Sequence, residues 1–388
     1  MSVQTKQAGP CVGKTSSGRI LSVEIGRGLA ALAVVVFHAN IGSRIAGGPY
    51  ISWLNVLEHG VDFFFVLSGF IIFTAHADDI GKEGEVSFYV RKRLIRIFPL
   101  LWAIVFGYAA LRWLAGDPVD VLTIVRSAIP YPSLEEAAPL VVWTLRHELL
   151  FYAIFAIVIW RPGIGWPIIL VWSLTSLGQI FAIATGFDGI PSAASMILSS
   201  FTLDFLMGIA LAALYRHRRF AARWWPLIAA IAFLAATLAL THVFHLKRHD
   251  FSDYVSMEAA LWVPVLGAAF TAVVYGLLCI ESAVSPSNWL IRLGSASYAI
   301  YLVHTPVSGI VLGATAYLPQ NLIESGALLP VLTIAGVWAG FIMHRFYEKP
   351  VSAWLSRLMG TQRGNKVQPG GTGTVSVAHA KRMADTKR

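Results

Sequence analysis

The sequence predicts an all-α fold, a polytopic integral membrane bundle of about ten transmembrane helices with both termini in the cytoplasm. Two properties of the chain support this prediction. The 388 residues are 56% hydrophobic and only 13% charged, whereas an average soluble domain carries roughly 25% charged residues. The apolar residues also fall into stretches of about 20, which is the length that crosses a bilayer as a helix.

Ten apolar stretches are candidate spans. Their approximate limits are 28–46, 60–77, 98–115, 138–160, 164–183, 195–214, 224–241, 258–280, 296–316 and 328–346. The fourth stretch is interrupted by Arg146, His147 and Glu148, and a short RPGIGW turn at Arg161–Trp166 joins it to the fifth.

The lysines and arginines set the orientation of these spans. Of the 30, 24 lie in the N-terminal segment, in every second loop and in the C-terminal tail, and five lie in the alternate loops. Cytoplasmic loops carry the excess of basic residues, so we expect both termini in the cytoplasm of a multi-pass protein of the cell membrane (inner or plasma membrane). The net charge of +9 then reflects topology, and we expect membrane lipids but no nucleic acid as partners.

The chain divides into three predicted segments. A polar cytoplasmic segment (1–18) precedes the membrane domain (19–355), and a Gly- and Lys/Arg-rich tail (356–388) with little apolar surface is predicted to be disordered. The N-terminal segment lacks an apolar signal-peptide core, so we expect the first span to act as an uncleaved anchor. We expect no soluble catalytic domain at either end, which places any chemistry inside the membrane domain. The two cysteines, Cys11 and Cys279, are too few for a disulfide framework, and we expect no metal.

The first span carries the most informative pair of residues. Arg27 and His38 bracket ten residues that are all apolar or glycine. Eleven helical steps of about 100° bring the two onto nearly the same face, roughly 16 Å apart along the axis. An ionisable group at that depth usually lines a cavity or a reaction path. The alternative is a packing histidine whose N–H is satisfied.

The segment after the second span, FYVRKRLIRIFPLLW, we interpret as a basic loop that leads into the third span. Arg93 and Arg96 are three residues apart on a predicted helix, so both can face one polyanionic ligand. Guanidinium groups bind phosphates through paired, charge-assisted hydrogen bonds. The simpler alternative is that these residues only anchor the cytoplasmic end of the span.

Acidic residues inside two spans are further candidates. Asp62 lies near the start of the second span, where it is either a favourable helix-start carboxylate or an orienting group of a site. The Ser68-Gly69 pair of that span permits close helix approach. Glu148 stands beside two other ionisable residues at membrane depth, which indicates function rather than packing. Its partner is either Arg146 or a basic group of another helix.

The ninth and tenth spans both carry polar residues in their cytoplasmic parts. Tyr298, Tyr301 and His304 follow a three-residue step along one face of the ninth span. Tyrosines at a membrane interface also serve as anchors, so both interpretations stay open. Glu348 and Lys349 end the tenth span, where we expect them to be solvated.

Taken together, these segments resemble the membrane-bound acyltransferase-3 family, whose members modify carbohydrates and other acceptors. The resemblance extends over residues 19 to 355. Its motifs, in family order, are Arg27-x10-His38, GVDFFFVLSGF from Gly60, RKRLIRIFP from Arg91, WTLRHELLFY from Trp143, SYAIYLVH from Ser297 and YEKP from Tyr347. Many relatives have small or acidic residues just before the glutamate of the fourth motif, whereas this chain has Arg146 and His147. Some relatives carry an extracytoplasmic esterase-like domain, and the short tail leads us to expect none here.

The resemblance implies an enzyme that moves an acyl group from cytoplasmic acyl-CoA to a hydroxyl of an acceptor. The donor implied is acetyl-CoA, with succinyl as an alternative. The donor-binding residues it implies are Arg27, Arg93 and Arg96. The family's essential histidine falls on His38, which we expect to take the proton of the acceptor hydroxyl. Glu148 or Asp62 orients its ring in this interpretation, and a covalent acyl-histidine stays open. The residues that we expect to bind substrate are Tyr298, Tyr301 and His304.

The acceptor stays open among cell-surface polysaccharide, glycan precursors, secreted oligosaccharides and macrolide-like small molecules. A homo-oligomer and partners in polysaccharide assembly stay open as well. A transporter or flippase that exports an acylated or charged solute is the main alternative function, because buried ionisable residues also suit a proton relay. A purely structural partner of an assembly complex leaves His38 unexplained. Transfer of a labelled acyl group by the purified protein separates the enzyme from both alternatives.

Overall fold

The computed structural model describes residues 20–186, 193–218, 220, 222–244, 257–285 and 287–361 of the chain. These ranges are largely helical and contain no strand. Among the described residues, ten helical segments are long and apolar enough to cross a membrane, which confirms the predicted helical membrane bundle. The predicted segment 1–18 and the tail after residue 361 lie outside the described ranges.

The membrane helices follow one another in the order of the predicted spans. They are α1 (Leu21–Ile45), α2 (Gly60–His76), α3 (Glu85–Leu114), α4 (Trp143–Trp160), α5 (Pro162–Ala184), α6 (Phe201–His217), α7 (Trp225–Val243), α8 (Met257–Ile280), α9 (Asn288–Ala314) and α10 (Leu328–Met343). Shorter helices at Val121–Ala128, Ala193–Ile197 and Gln320–Glu324 precede α4, α6 and α10. A helix at Lys349–Leu358 follows α10 through one wider π-helical turn, His344–Glu348.

Several predicted limits were wrong because hydropathy marks the apolar part of a helix and not its ends. Helix α3 begins at Glu85, not at 98, so the basic segment interpreted as a loop is helical. Lysine and arginine are good helix formers, and the helix therefore extends beyond its apolar stretch. Helix α9 likewise begins at Asn288 rather than at 296. The predicted six-residue turn between α4 and α5 is reduced to Arg161, since Pro162 starts the next helix.

Helix α1 also begins earlier than predicted, at Leu21. The carboxylate of Glu281, just after α8, accepts hydrogen bonds from the backbone N–H groups of Leu21 and Ser22, both at 2.8 Å. The first N–H groups of a helix have no partner within it and carry partial positive charge. Glu281 satisfies two of them, so the start of α1 depends on a residue 260 positions away.

The helix pair α2 and α6 is the most extensively packed in the bundle. A Cβ atom on Gly69 would lie 2.0 Å from the carbonyl oxygen of Phe205, and one on Gly208 would lie 2.0 Å from that of Val66. The two backbones therefore touch, as the small Ser68-Gly69 pair predicts. This contact fixes the face of α2 that lines the candidate site.

Helices α1 and α9 also approach closely and run in the same direction. A Cβ atom on Gly28 would lie 2.8 Å from the backbone nitrogen of Gly294. Farther along both helices, His38 meets His304. Helix α10 packs against both α1 and α9, so the two histidines lie among three helices.

Candidate active site

A cavity of about 150 Å³ opens between α1, α2, α3, α4 and α9. Its lining along α2 runs from Val61 to Ile72, which is about 16 Å at the helical rise. The polar side chains that line it are Arg27, Ser68, Arg93, Arg96, Thr144, Glu148, Tyr152, Ser297, Tyr298 and Tyr301. Six of the nine site residues predicted from the sequence therefore line this cavity, namely Arg27, Arg93, Arg96, Glu148, Tyr298 and Tyr301.

Helix α4 sends its three consecutive ionisable residues in different directions, because successive residues of a helix are about 100° apart. Arg146 is only 2% exposed and donates to the carbonyl oxygens of Ser133 (2.7 Å) and Glu135 (2.6 Å). These two hydrogen bonds hold the segment before α4 against the helix. His147 packs against the rings of Phe65 (5.7 Å between centroids) and other aromatic residues. Only Glu148 lines the cavity.

The partners of Glu148 are hydroxyl groups. Its Oε1 accepts from Ser68 at 3.3 Å and, in a shorter contact, from Tyr152 one helical turn later. Arg146 or a basic group of another helix was the partner predicted from the sequence, but among the described residues Glu148 makes no direct ion pair with either. Tyr152 was not identified from the sequence, although its four-residue spacing from Glu148 was the signal that could have found it.

Arg93 lies on α3 at one end of the cavity. Its guanidinium lies over the rings of Tyr89 (5.7 Å) and Tyr152 (5.6 Å). Its Nε–H is buried and finds no acceptor among the described residues. A planar cation held between aromatic faces with a free N–H is suited to an anionic or polar ligand.

Arg96, one turn farther along α3, pairs with Glu348 and lies 4.9 Å from the ring centre of Tyr298. Glu348 is 4% exposed and also accepts from Nδ1 of His344 at 2.7 Å. The prediction that Glu348 is solvated was therefore wrong. The π-helical turn at His344–Glu348 places this carboxylate inside the bundle, and such turns are frequent at functional sites.

Arg27 completes the basic end of the cavity, the part lined by Arg27, Arg93 and Arg96. Within the described residues it makes no direct hydrogen bond or ion pair. A guanidinium in such a position retains all its donors for a bound molecule. The three cations together form the strongest positive charge along the cavity wall.

His38 is not part of the cavity lining. Its Nδ1 lies 3.0 Å from the carbonyl oxygen of Val34 and 3.2 Å from Nε2 of His304. The residue is partly exposed, and no described residue hydrogen-bonds to its Nε2. The nitrogen available for chemistry is therefore Nε2.

The predicted face of α9 connects His38 with the cavity. Tyr298 and Tyr301 line the cavity, and Tyr301 exchanges a 3.0 Å hydrogen bond with Thr144. One turn farther, the ring of His304 lies 5.9 Å from that of Tyr301 and 4.9 Å from that of His38. His304 is 1% exposed and contacts His38 rather than the cavity. The three residues of this face thus lead from the cavity to the histidine pair.

Asp62 is fully buried near the start of α2 and lies outside the cavity lining. Its Oδ2 is 3.6 Å from Nδ1 of His59. The groups that hold the ring of His38 are Val34 and His304, not Asp62 or Glu148. Within the described residues, no group of three or more His, Cys, Asp or Glu side chains has the arrangement of a metal site.

The chain is similar in sequence to a known family and to several known proteins. The acyltransferase-3 family model, described as "Acyltransferase domain", matches residues 20–345. The chain is 28% identical over 313 residues to ExoZ of Rhizobium meliloti (strain 1021), an exopolysaccharide production protein, with 75% of this chain and 88% of ExoZ covered. It is 27% identical over 369 residues to the acyltransferase MdmB of Streptomyces mycarofaciens, with 85% of this chain and 91% of MdmB covered.

A third relative is longer than this chain. YrhL of Bacillus subtilis (strain 168), named as a candidate peptidoglycan O-acetyltransferase, is 25% identical over 375 residues, with 84% of this chain covered. The match spans only 54% of YrhL, about half of its length. No solved structure matches the chain significantly.

Proposed function

The chain belongs to the acyltransferase-3 family, and from this premise we propose that it is a membrane-embedded O-acyltransferase. The reaction proposed is transfer of an acyl group, acetyl in the first instance, from acyl-CoA to a hydroxyl of a carbohydrate acceptor. The names of YrhL and ExoZ refer to peptidoglycan and to exopolysaccharide. A cell-surface or exported glycan is therefore the class of acceptor that we propose here.

This proposal rests on the layout of the site. Three arginines lie at one end of the cavity. Tyrosines of α9 line the cavity, and beyond them the rings of His304 and His38 contact each other. Coenzyme A carries several phosphate charges on its nucleotide and a long, mostly neutral pantetheine arm. Arg27, Arg93 and Arg96 suit the phosphates through charge-assisted hydrogen bonds. The lining of mixed hydroxyl and apolar groups suits the arm.

In this proposal His38 is the general base. Each histidine of the pair faces a carbonyl oxygen with its Nδ1, Val34 for His38 and Ile300 (3.1 Å) for His304. A carbonyl only accepts hydrogen bonds, so Nδ1 carries the proton in both neutral rings. The Nε2 lone pair of His304 then faces the Nδ1–H of His38. This leaves the Nε2 lone pair of His38 to take a proton from the acceptor.

The chemical step follows from that proton placement. The acceptor hydroxyl oxygen attacks the thioester carbonyl while its proton passes to Nε2 of His38. The carbon–sulfur bond then breaks, and the leaving thiolate of CoA takes up the proton from His38, which restores the neutral ring. His304 stabilises the imidazolium through its lone pair at 3.2 Å. An acyl group carried first by His38 and then passed to the acceptor uses the same nitrogen.

We propose that the donor enters from the cytoplasm. The basic residues concentrate in the loops and ends assigned to that side, and Arg93 and Arg96 lie in the part of α3 nearest to them. The histidine pair, in the C-terminal halves of α1 and α9, then lies toward the opposite face of the membrane.

The test is acyl transfer by the purified full-length protein in detergent or nanodiscs. Radiolabelled acetyl-CoA is supplied with and without a surface glycan extract, and label in CoA-free product is measured. The enzyme yields labelled glycan, whereas a transporter without acyl transfer leaves all label on CoA. His38→Gln at an equal protein level is the matched control.

A further inference from the structure

A buried pair of residues outside the cavity lining holds the guanidinium of Arg93. His76, the last residue of α2, and Asp79, three residues later, are 2% and 5% exposed. Nδ1 of His76 lies 2.8 Å from Oδ2 of Asp79, and its Nε2 lies 3.3 Å from Nη2 of Arg93. Neither residue lines the cavity, and neither was singled out in the sequence.

The chemistry of the three groups fixes where the proton lies. Arginine has five N–H donors and no acceptor, so Nε2 of His76 must be the acceptor. The single ring proton is then on Nδ1, where the carboxylate of Asp79 accepts it. The hydrogen bonds from His76 to Asp79 and from Arg93 to His76 therefore allow only one position for the ring proton, and Asp79 selects the tautomer that can hold Arg93.

Aromatic rings packed around these three residues also restrain the side chain of Arg93. The ring of Tyr89 meets that of His76 edge-on, 5.0 Å between centroids. The Arg93 guanidinium lies against the rings of Tyr89 and Tyr152. With one terminal nitrogen held by His76, the buried Nε–H, which has no acceptor among the described residues, stays at a fixed place beside the cavity.

We infer that His76 and Asp79 are positioning residues that hold Arg93 in the conformation that binds the phosphates of the acyl donor. This inference rests on the proposed function, in which Arg93 contacts CoA. A long, flexible side chain loses conformational freedom when it binds a ligand, and prior restraint reduces that loss. The pair should therefore affect donor binding and leave the chemical step unchanged.

Two amide substitutions separate this role from a purely structural one. In His76→Gln the Oε1 atom replaces Nε2 as the acceptor for Arg93. In His76→Asn the shorter amide replaces Nδ1 and can still bond Asp79, but it does not reach Arg93. We expect KM for acetyl-CoA to rise about tenfold in His76→Asn, the effect of one lost hydrogen bond to a charged group. We expect less than a threefold change in His76→Gln and kcat within about twofold in both.

The neighbouring residue provides the matched control. Asp78 is exposed and pairs with Arg216 at 2.5 Å on the surface, so Asp78→Asn should leave KM unchanged. Asp79→Asn should raise KM as His76→Asn does, because an amide no longer selects the tautomer. In an Arg93→Ala background, His76→Asn should have no further effect on KM, since the residue through which it acts is gone.

The outcomes are distinguishable from failure of the proposed function. If the wild-type protein transfers no acyl group from acetyl-CoA, the proposed function is overturned and this inference with it. If the wild type is active but both amides give equal KM values, or kcat falls while KM is unchanged, the inference alone is overturned. Calorimetric titration of CoA into the same proteins gives a second readout, with the same order of Kd values expected.

Discussion

Nε2 of His304 lies 3.2 Å from Nδ1 of His38, although the two residues are 266 positions apart in the chain. Each ring also faces the carbonyl oxygen one turn earlier in its own helix, at 3.0 and 3.1 Å. These contacts give both rings the same proton placement and leave one nitrogen, Nε2 of His38, for the acceptor. We therefore propose that His304 orients His38, and its predicted role as a substrate ligand stays to be tested.

The first prediction concerns this pair. Replacement of His304 by Phe removes the lone pair that faces His38 but keeps a ring of similar size. We expect kcat to fall about tenfold or more, since a hydrogen bond that grows to a charged partner during the reaction is lost. His304→Gln retains an acceptor and should keep most of the activity. Steady-state kinetics with acetyl-CoA and the acceptor measure both effects. If instead KM for the acceptor rises at constant kcat, His304 is a substrate ligand.

The second prediction concerns the basic end of the cavity. Arg93→Ala and Arg96→Ala should each weaken CoA binding about tenfold or more and weaken its dependence on salt concentration. Arg→Lys at either position should restore binding only in part, because an ammonium group lacks the paired N–H donors with which a guanidinium binds phosphate. Lys92→Ala is the matched control: the residue directly precedes Arg93 on α3, is exposed and is absent from the cavity lining. Equal Kd values for all three alanine variants would mean that these arginines only anchor the helix.

The helix spans and their order were predictable from the sequence because bilayer length and hydropathy are local properties. That Arg146 and His147 lie outside the cavity lining was not, since it depends on the rotation of α4 against its neighbours. The burial of Glu348 was missed for a similar reason, because its partner Arg96 is 252 positions away. Contacts of this kind are set by packing between helices, and no single stretch of sequence contains them.

The third prediction tests the contact between α2 and α6. Gly69→Ala places a methyl group 2.0 Å from the carbonyl oxygen of Phe205, so the backbones must separate. We expect a loss of about 1–3 kcal/mol in the free energy of unfolding, seen as a lower midpoint in thermal unfolding in detergent. Gly178→Ala is the control, because among the described residues its added Cβ would meet no atom within 4 Å apart from its chain neighbours and the nearby backbone of its own helix. It should be neutral or slightly stabilising, as alanine favours helix. Equal midpoints for the two variants would contradict the close packing.

The fourth prediction concerns orientation. Glu83 and Glu136 are both exposed, which suits them to cysteine labelling. In a variant with both native cysteines replaced, a cysteine at position 83 should react with a membrane-impermeant maleimide only after the membrane is opened. A cysteine at position 136 should react in intact cells. Labelling of both positions in intact cells would contradict the assignment of the basic loops to the cytoplasm.

The central claim is that Nε2 of His38 accepts the proton of the acceptor hydroxyl, and the rate of acetyl transfer by His38→Gln tests it most directly. Glutamine retains hydrogen-bonding groups but takes no proton at neutral pH, so the variant should reach the membrane, bind CoA normally and lose transfer by about a hundredfold or more. Wild-type activity should rise with pH through the titration of the histidine, because only the deprotonated ring acts as a base. Transfer by a well-expressed His38→Gln protein at close to the wild-type rate would contradict the claim and make Glu148 the leading candidate for the base.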